Sequence, residues 1–409
     1  MRYTSSMHKL AGDATRTSSR STMPLACVIG TVDLLRPLGL AGIKCAVVAR
    51  PGSPKRYSRF VNQVVDWADP WKQPDELLEG LVRFGTAQEN RPVLYYEGDW
   101  DLLLVSRRRE RLAKVFRFVL PDATLVEDLV DKDRFRAVAE RLSLPVPKSR
   151  RLSPEHARPD DVDLRFPLIV KPLTRQMATW DGLADGAKAL EVETLADLRR
   201  AWRILARADV EILAQELIPG PETLIESYHV YVDEQGDRVA EFTGKKIRTF
   251  PAAYGHSTAL VITRASDVLA LGRQVVHRLD LRGVAKLDFK RGSDGRLHLL
   301  EINPRFSLWH HLGAKAGLNL PQLVYDDLVG LPRKVVGSAH PGVRWCNVHD
   351  WRAAREAGMP LHRWLRWALT CEAKSGLAWD DPLPIIGGLG FAARASSSAL
   401  RARFRHRVR

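Results

Sequence analysis

Three oxygen-bearing side chains in one short segment could do chemistry together. They are Asp288, Glu301 and Asn303, in Val-Ala-Lys-Leu-Asp-Phe-Lys-Arg-Gly-Ser-Asp-Gly-Arg-Leu-His-Leu-Leu-Glu-Ile-Asn-Pro-Arg over residues 284–305. Residues 284–291 are β-prone and largely apolar, Gly-Ser-Asp-Gly at 292–295 is a turn signal, and 296–302 reads as a second strand. Glu301 and Asn303 are two apart, so they share a face. If 292–295 form the loop, Asp288 lies opposite Leu299 and all three side chains point to one side. Two carboxylates and an amide suit Mg²⁺, a hard cation that prefers oxygen ligands. A register shift of one residue would split the set and leave a surface hairpin with scattered polar groups.

Two further segments add groups of a complementary kind. Phe-Pro-Leu-Ile-Val-Lys-Pro at 166–172 is a short apolar strand ending in Lys171 and closed by proline. A lysine there is a point charge for phosphate oxygens, or one that simply reaches solvent. Glu-Ile-Leu-Ala-Gln-Glu-Leu-Ile-Pro-Gly-Pro-Glu at 211–222 is a second apolar strand breaking into a Pro-Gly-Pro turn. Backbone groups at the break could read an adenine edge, and Glu222 could accept hydrogen bonds from ribose hydroxyls.

In that order, the strand lysine, Gln-Glu-Leu-Ile-Pro-Gly-Pro-Glu and Asp…Glu-Ile-Asn-Pro-Arg resemble the ATP-grasp superfamily over roughly residues 125–330. The chain is most similar to its carboxylate–amine ligases, including D-aspartate-ligase-like proteins, and to the synthetase modules of the carbamoyl-phosphate synthase large chain. The resemblance implies ATP and Mg²⁺ (or Mn²⁺) as cofactors. It implies that Lys132 and Lys171 hold the phosphates, that Gln215, Glu216 and Ile218 line the adenine hinge, and that Glu222 binds ribose. By the same resemblance Asp288, Glu301 and Asn303 hold the metal, and Arg305 stabilises the transferred phosphoryl group. The ordered set is specific for the superfamily and weakly specific for substrate. One departure stands out: residues 173–186, where many members carry a glycine-rich flap, have Arg175, Gln176, Trp180, Asp181, Gly182 and Gly186 but no Gly-Gly run.

The elements around these residues give an α/β chain that opens with a doubly wound domain, and the resemblance implies an α+β ATP-grasp core behind it. Leu-Ala-Cys-Val-Ile-Gly at 25–30 is a buried strand, a helix over 33–40 closes at Gly42, and 44–49 is the next strand. Gly30 lacks the remaining glycines of a dinucleotide fingerprint and reads as a tight turn. Residues 91–96 give another strand, 132–142 an amphipathic helix, and 194–205 a helix opening at Thr194. Lys245, Lys246 and Arg248 follow the strand 239–242. Strand geometry places Lys246 and Arg248 on one face, either for the γ-phosphate and an acceptor carboxylate or as a basic edge. The loop 250–257 offers Tyr254, His256 and Ser257 to a co-substrate. His310 and His311 read as core or supporting residues.

The expected division is an extension at 1–23, a Rossmann-like domain at 24–124, the two-subdomain ATP-grasp domain at 125–333, and a small helical, Trp-rich unit with a basic tail at 334–409. Five of the 11 tryptophans fall in that last unit. Its Leu and Trp stripe at 361–370 packs on the body or, alternatively, docks at a membrane surface.

The chain has 409 residues, 45% of them hydrophobic and 27% charged, as in an ordinary globular protein. No apolar run approaches the ~20 residues that span a bilayer. Four scattered cysteines without Cys-x-x-Cys spacing argue against a zinc or disulfide framework and fit a reducing cytoplasm. A net charge of +15 suits anionic substrates, and no recognisable module points to specific nucleic-acid binding. The expectation is a cytoplasmic, ADP-forming carbon–nitrogen ligase acting on a small carboxylate and an amine, with homo-oligomerisation left open. Carboxyphosphate or carbamoyl-phosphate chemistry is the alternative enzyme. A nucleotide-binding regulatory or scaffold protein is the alternative from another class.

Overall fold

Continuous apolar runs make strands that can be covered on both faces, and the chain opens with two of them. β1 (Ala26–Ile29), α1 (Val32–Leu40), β2 (Cys45–Ala49), β3 (Val61–Asp66), α2 (Pro74–Thr86), β4 (Val93–Tyr96) and α3 (Asp99–Arg107) build a parallel sheet of order β3-β2-β1-β4. Every residue of β1, β2 and β4 is buried. Thr31 caps α1 by accepting the Asp33 N–H at 3.3 Å, and Gly42 leaves the helix end at φ +78°. Strand order reverses between β1 and β4, so their carboxyl ends open onto the crevice where such sheets bind ligands. The computed structural model describes residues 23–387, apart from 154–155, 157, 174–179, 181–182, 184–188, 334–335 and 377. The N-terminal extension, the arginine tail, and Arg175, Gln176, Asp181, Gly182 and Gly186 of the flap lie outside the described residues.

α4 (Ala123–Val130) and α5 (Lys132–Arg141) lead into a second sheet made of β5 (Ser149–Leu152), β6 (Leu168–Pro172), β7 (Leu190–Val192) and β8 (Ile212–Glu216), antiparallel in the order β5-β8-β6-β7. α6 (Leu195–Arg207) lies over it through Leu198, Trp202 and Leu205. Thr194 opens α6 with a reciprocal cap: its hydroxyl accepts from Asp197 N–H at 3.2 Å, and its own N–H donates to Asp197 Oδ2 at 3.1 Å. Trp180, one of the two flap residues described between 174 and 188, is only 4% exposed and sits in this core.

The third sheet has seven strands in the order β13-β12-β9-β10-β11-β14-β15. It is built from β9 (Ile225–Val232), β10 (Arg238–Phe250), β11 (His256–Thr263), α7 (Ser266–Arg278), β12 (Gly283–Arg291), β13 (Leu297–Asn303), α8 (Trp309–Lys315), α9 (Leu320–Val329), β14 (Arg344–Cys346), α10 (Asp350–Glu356), α11 (Leu361–Leu369) and β15 (Ala373–Lys374), the helices packing around it. The C-terminal segment is thus more than helices, because β14 pairs with β11 and extends the large sheet. It is also clasped to α1. Arg36, fully buried, bonds Asp381 Oδ2 at 3.1 Å and the carbonyls of Ser375 and Gly376 at 3.2 Å each. Asp33 accepts from Trp345 Nε1–H at 3.0 Å and meets His311 Nδ1 at 3.0 Å.

Candidate active site

The hairpin β12–β13 brings its acids together by a different register from the one the turn suggests. Arg291 pairs with Leu297 and Gly292 N–H donates to Arg296 O, so the loop is one residue longer than 292–295. That shift alone would have split the set. A bulge at Leu300 then adds a second residue: Phe289 pairs with Leu299, but Asp288 pairs with Glu301. The cause is packing. Phe289 and Leu299 are both fully buried on the opposite face, and the bulge lets them pair there while Glu301 joins Asp288. Asn303 follows two residues on, with its Nδ2–H donating to Glu301 Oε1 at 3.0 Å. Ser227 on β9 donates its hydroxyl to Asp288 Oδ1 at 2.5 Å.

A cation already lies between these acids. Lys286 Nζ is 2.7 Å from Asp288 Oδ2 and 3.8 Å from Glu301 Oε1. Among the described residues no group of three His, Cys, Asp or Glu side chains is arranged to hold a metal. The set is two carboxylates and an amide, an all-oxygen donor group whose charge is met here by an ammonium, and it fits a hard divalent ion sharing its shell with phosphate oxygens.

All but one of the candidate residues line a single cleft of about 920 Å³ between the three sheets. Lys171 reaches it from the end of β6 and donates to Gln215 Oε1 at 3.0 Å. Lys132, at the start of α5, donates to the carbonyl of Pro172. Gln215, Glu216 and Ile218 line the cleft where β8 ends. Glu216 Oε1 accepts from Arg165 N–H at 3.1 Å, and the Leu217 N–H is taken by Pro167 O. Gly220, at φ +106°, turns the chain towards Glu222. Glu222 faces two lysines, Lys246 at 3.7 Å and Lys290 at 4.0 Å. Burial lowers the Lys290 pKa from its ordinary value, partly opposed by Glu222. Arg305 is fixed between the hairpin and the first sheet: Nη2–H donates to Asn303 Oδ1 at 3.0 Å, and Nε–H donates to Asp99 Oδ1 at 2.5 Å. Tyr254, His256 and Ser257 also line the cleft.

Arg248 is the exception and corrects the expected geometry. A bulge at Ile247 gives Lys246 the partner Leu260 and Arg248 the partner Ala259, so the two side chains leave β10 on opposite faces. Lys246 faces the cleft. Arg248 turns away and forms a two-pronged pair with buried Asp350, at 2.8 and 2.6 Å, with its guanidinium 4.1 Å above the Trp367 ring. Its contacts are those of a tie between β10 and the C-terminal helices. The two adjacent histidines are buried: His311 bonds Asp33, and burial pushes His310 down to about 3, so it is neutral at ordinary pH.

The first sheet supplies further cleft residues, none of them among the site candidates read from the sequence. Gly30 and Thr31 follow β1, and Glu97 and Gly98 follow β4, on either side of the order reversal. A Cβ at Gly30 would come within 2.8 Å of Glu97 Oε2, so any side chain there would have to push that carboxylate aside. Thr31 donates to Glu97 through its N–H at 2.5 Å and its hydroxyl at 3.1 Å. Lys55 donates to Gly30 O at 2.7 Å. Burial raises the Glu97 pKa, lowers that of Lys55, and pushes Asp101 up to about 6. The available signal was positional, a carboxylate just past a parallel strand beside the switch point. Lys286 and Lys290 were legible only once the register was known.

Comparison with known proteins agrees with this arrangement. A family described as "ATP-grasp in the biosynthetic pathway with Ter operon" matches residues 210–350. The D-aspartate ligase of Enterococcus faecium is 25% identical over 292 residues, covering 68% of each chain. The D-alanine–D-alanine ligase of Pseudomonas putida is 26% identical over 214 residues, covering 48% of this chain and 62% of that relative. Among solved structures, an ADP complex of N5-carboxyaminoimidazole ribonucleotide synthetase superposes with a TM-score of 0.60 at 17% identity, over 79% of this chain and 80% of the other. An L-amino acid ligase from Bacillus licheniformis gives 0.57 at 17% identity, over 75% and 74%. Residues 210–350 thus match an ATP-grasp family, the curated relatives similar to this chain are D-amino-acid ligases, and the fold is that of solved ATP-dependent synthetases and ligases.

Proposed function

We propose that the chain is an ADP-forming carbon–nitrogen ligase that activates a small carboxylate as an acyl phosphate for attack by an amine. The observation that carries this reading is that Lys171, Lys132, Asp288, Glu301, Asn303 and Arg305 all line one cleft. ATP would lie with its base against Gln215, Glu216 and Ile218 and its ribose at Glu222, directing the phosphates towards the hairpin. Asp288, Glu301 and Asn303 would hold Mg²⁺, which when bound neutralises triphosphate charge. Lys171 and Lys132 contribute fixed positive charge, and Lys246 adds to it beside Glu222. Arg305, held by Asn303 and Asp99, is aimed where charge develops as the γ-phosphoryl group passes to a carboxylate oxygen and ADP leaves. The amine then adds to the acyl carbon and inorganic phosphate departs with the carbonyl restored. The end of the cleft formed by Gly30, Thr31, Glu97 and Asp99 is the place for the carboxylate substrate, because it lies beside Arg305 and away from the adenine hinge.

The test is ADP release from ATP and Mg²⁺ against a panel of amino acids and short carboxylic acids, with and without amines. Acid-dependent ADP release by the parent, absent in a folded Glu301→Gln variant, is the expected result. ADP release by the parent that Glu301→Gln leaves unchanged would remove the assignment of the hairpin.

A further inference from the structure

Helix α11 lies at the protein surface with none of its nine residues buried. Its inner side is held down: Trp364 Nε1–H donates to Asp350 Oδ2 at 3.0 Å, and Trp367 lies under the Arg248 guanidinium. The adjacent side is apolar and open. Leu361, Leu365 and Leu369 are 63%, 45% and 59% exposed. Residues four apart drift by only ~40° around a helix, so the three leucines form one stripe. The stripe is flanked by exposed His362, Arg363 and Arg366, and no acid occurs between Glu356 and Glu372. Beyond the described residues, 388–409 contain six arginines and no acid, in a chain of net charge +15.

From this placement we propose that α11 docks the protein on an anionic lipid surface, with the leucine stripe entering the interfacial region and Arg363 and Arg366 meeting the headgroups. A leucine stripe bordered by cations, in a chain whose residues 394–409 are arginine-rich, supplies both the apolar burial and the electrostatic attraction that set interfacial binding. Charge selects this occupant over others. A second copy laid stripe to stripe would bring both sets of arginines together, and the arginine tail folded over the stripe would do the same. Among the described residues no helix is long and apolar enough to cross a membrane, so the contact is peripheral. No residue of α11 lines the cleft, so docking through it does not use the groups of the candidate active site.

The experiment is flotation of the full chain with vesicles of phosphatidylcholine mixed with phosphatidylglycerol, against phosphatidylcholine alone. Binding is expected with the anionic vesicles, weakened by salt, and reduced roughly tenfold or more by Leu361→Asp/Leu365→Asp/Leu369→Asp. The milder Leu365→Gln should give a smaller loss at an unchanged melting temperature, which separates docking from folding. Binding that ignores the leucines but disappears when the tail arginines become serine would overturn the helix's role. So would absence of binding to either vesicle. Self-association in the ultracentrifuge that the leucine changes abolish, or capture by an acidic protein in place of vesicles, would overturn it in favour of a protein partner.

Discussion

Lys286 places its ammonium 2.7 Å from Asp288 Oδ2, at the point where the two acids of the hairpin converge. A divalent ion entering there has to displace that ammonium or share the carboxylates with it. Replacing Lys286 by Met should therefore tighten Mn²⁺ binding to the nucleotide-free protein by about tenfold, ~1.4 kcal/mol. Titration followed by electron paramagnetic resonance reads this directly, and unchanged or weaker Mn²⁺ binding would show that Lys286 and the metal do not compete.

Lys171 stands at the end of an apolar strand with Gln215 Oε1 at 3.0 Å. A charge-assisted contact to phosphate is worth roughly 1–3 kcal/mol, so Lys171→Ala should weaken ATP by that much while the fold persists. Calorimetry should also show that ATP raises the melting temperature of the parent more than that of the variant. Equal ATP affinity in both proteins would remove the phosphate role.

Asp350 is fully buried and accepts from Arg248, Thr258 Oγ1–H at 2.9 Å and Trp364 Nε1–H. Asp350→Ala leaves the Arg248 guanidinium without its counter-charge, and losses of about 3–5 kcal/mol follow when one partner of such a pair is removed. The expected outcome is a large drop in the denaturant midpoint, with ATP affinity of the folded protein preserved because Arg248 faces away from the cleft. A stable variant with impaired ATP binding would return Arg248 to the site.

Asp101 carries a pH signature. Burial raises its pKa from 3.8 to about 6 on folding, so the native state holds the proton more tightly than the unfolded chain. That contribution is fully present below the unfolded pKa and is lost as pH rises through about 6, with ~3 kcal/mol as its upper bound. Asp101→Asn keeps an acceptor for Gly98 N–H, 3.0 Å away in the parent. The variant should melt above the parent at slightly alkaline pH, and the gap should close as pH falls towards 4. A gap that is independent of pH would contradict the burial argument.

The sequence made the strands and the ordered motifs legible because each is local. Apolar runs marked β1 and β2, Thr194 marked the start of α6, and the spacing of Glu301 and Asn303 marked a shared face. It did not disclose the two bulges. At Leu300 the bulge preserved the expected set by cancelling a loop one residue too long, and at Ile247 it separated Lys246 from Arg248. Both depend on which partner strand offers a buried position, and that is a tertiary property. Glu97, Asp99 and Asp101 escaped notice for the same reason, since only the packing of β4 against β1 and the reach of Arg305 bring them to the cleft. The buried polar pair Arg36–Asp381 joins residues 345 apart and left no local trace.

Passage through an acyl phosphate moves a carboxylate oxygen onto phosphorus, and isotope transfer reads that step. Once the panel identifies an acid, the reaction is run with its carboxyl group labelled with ¹⁸O, and the phosphorus products are analysed. The expected products are ADP and inorganic phosphate carrying one labelled oxygen, released as the amine displaces it. Label in AMP, or pyrophosphate as the phosphorus product, would contradict that step. Unlabelled phosphate beside accumulating ADP would contradict it as well, and would favour carboxyphosphate chemistry in the same cleft.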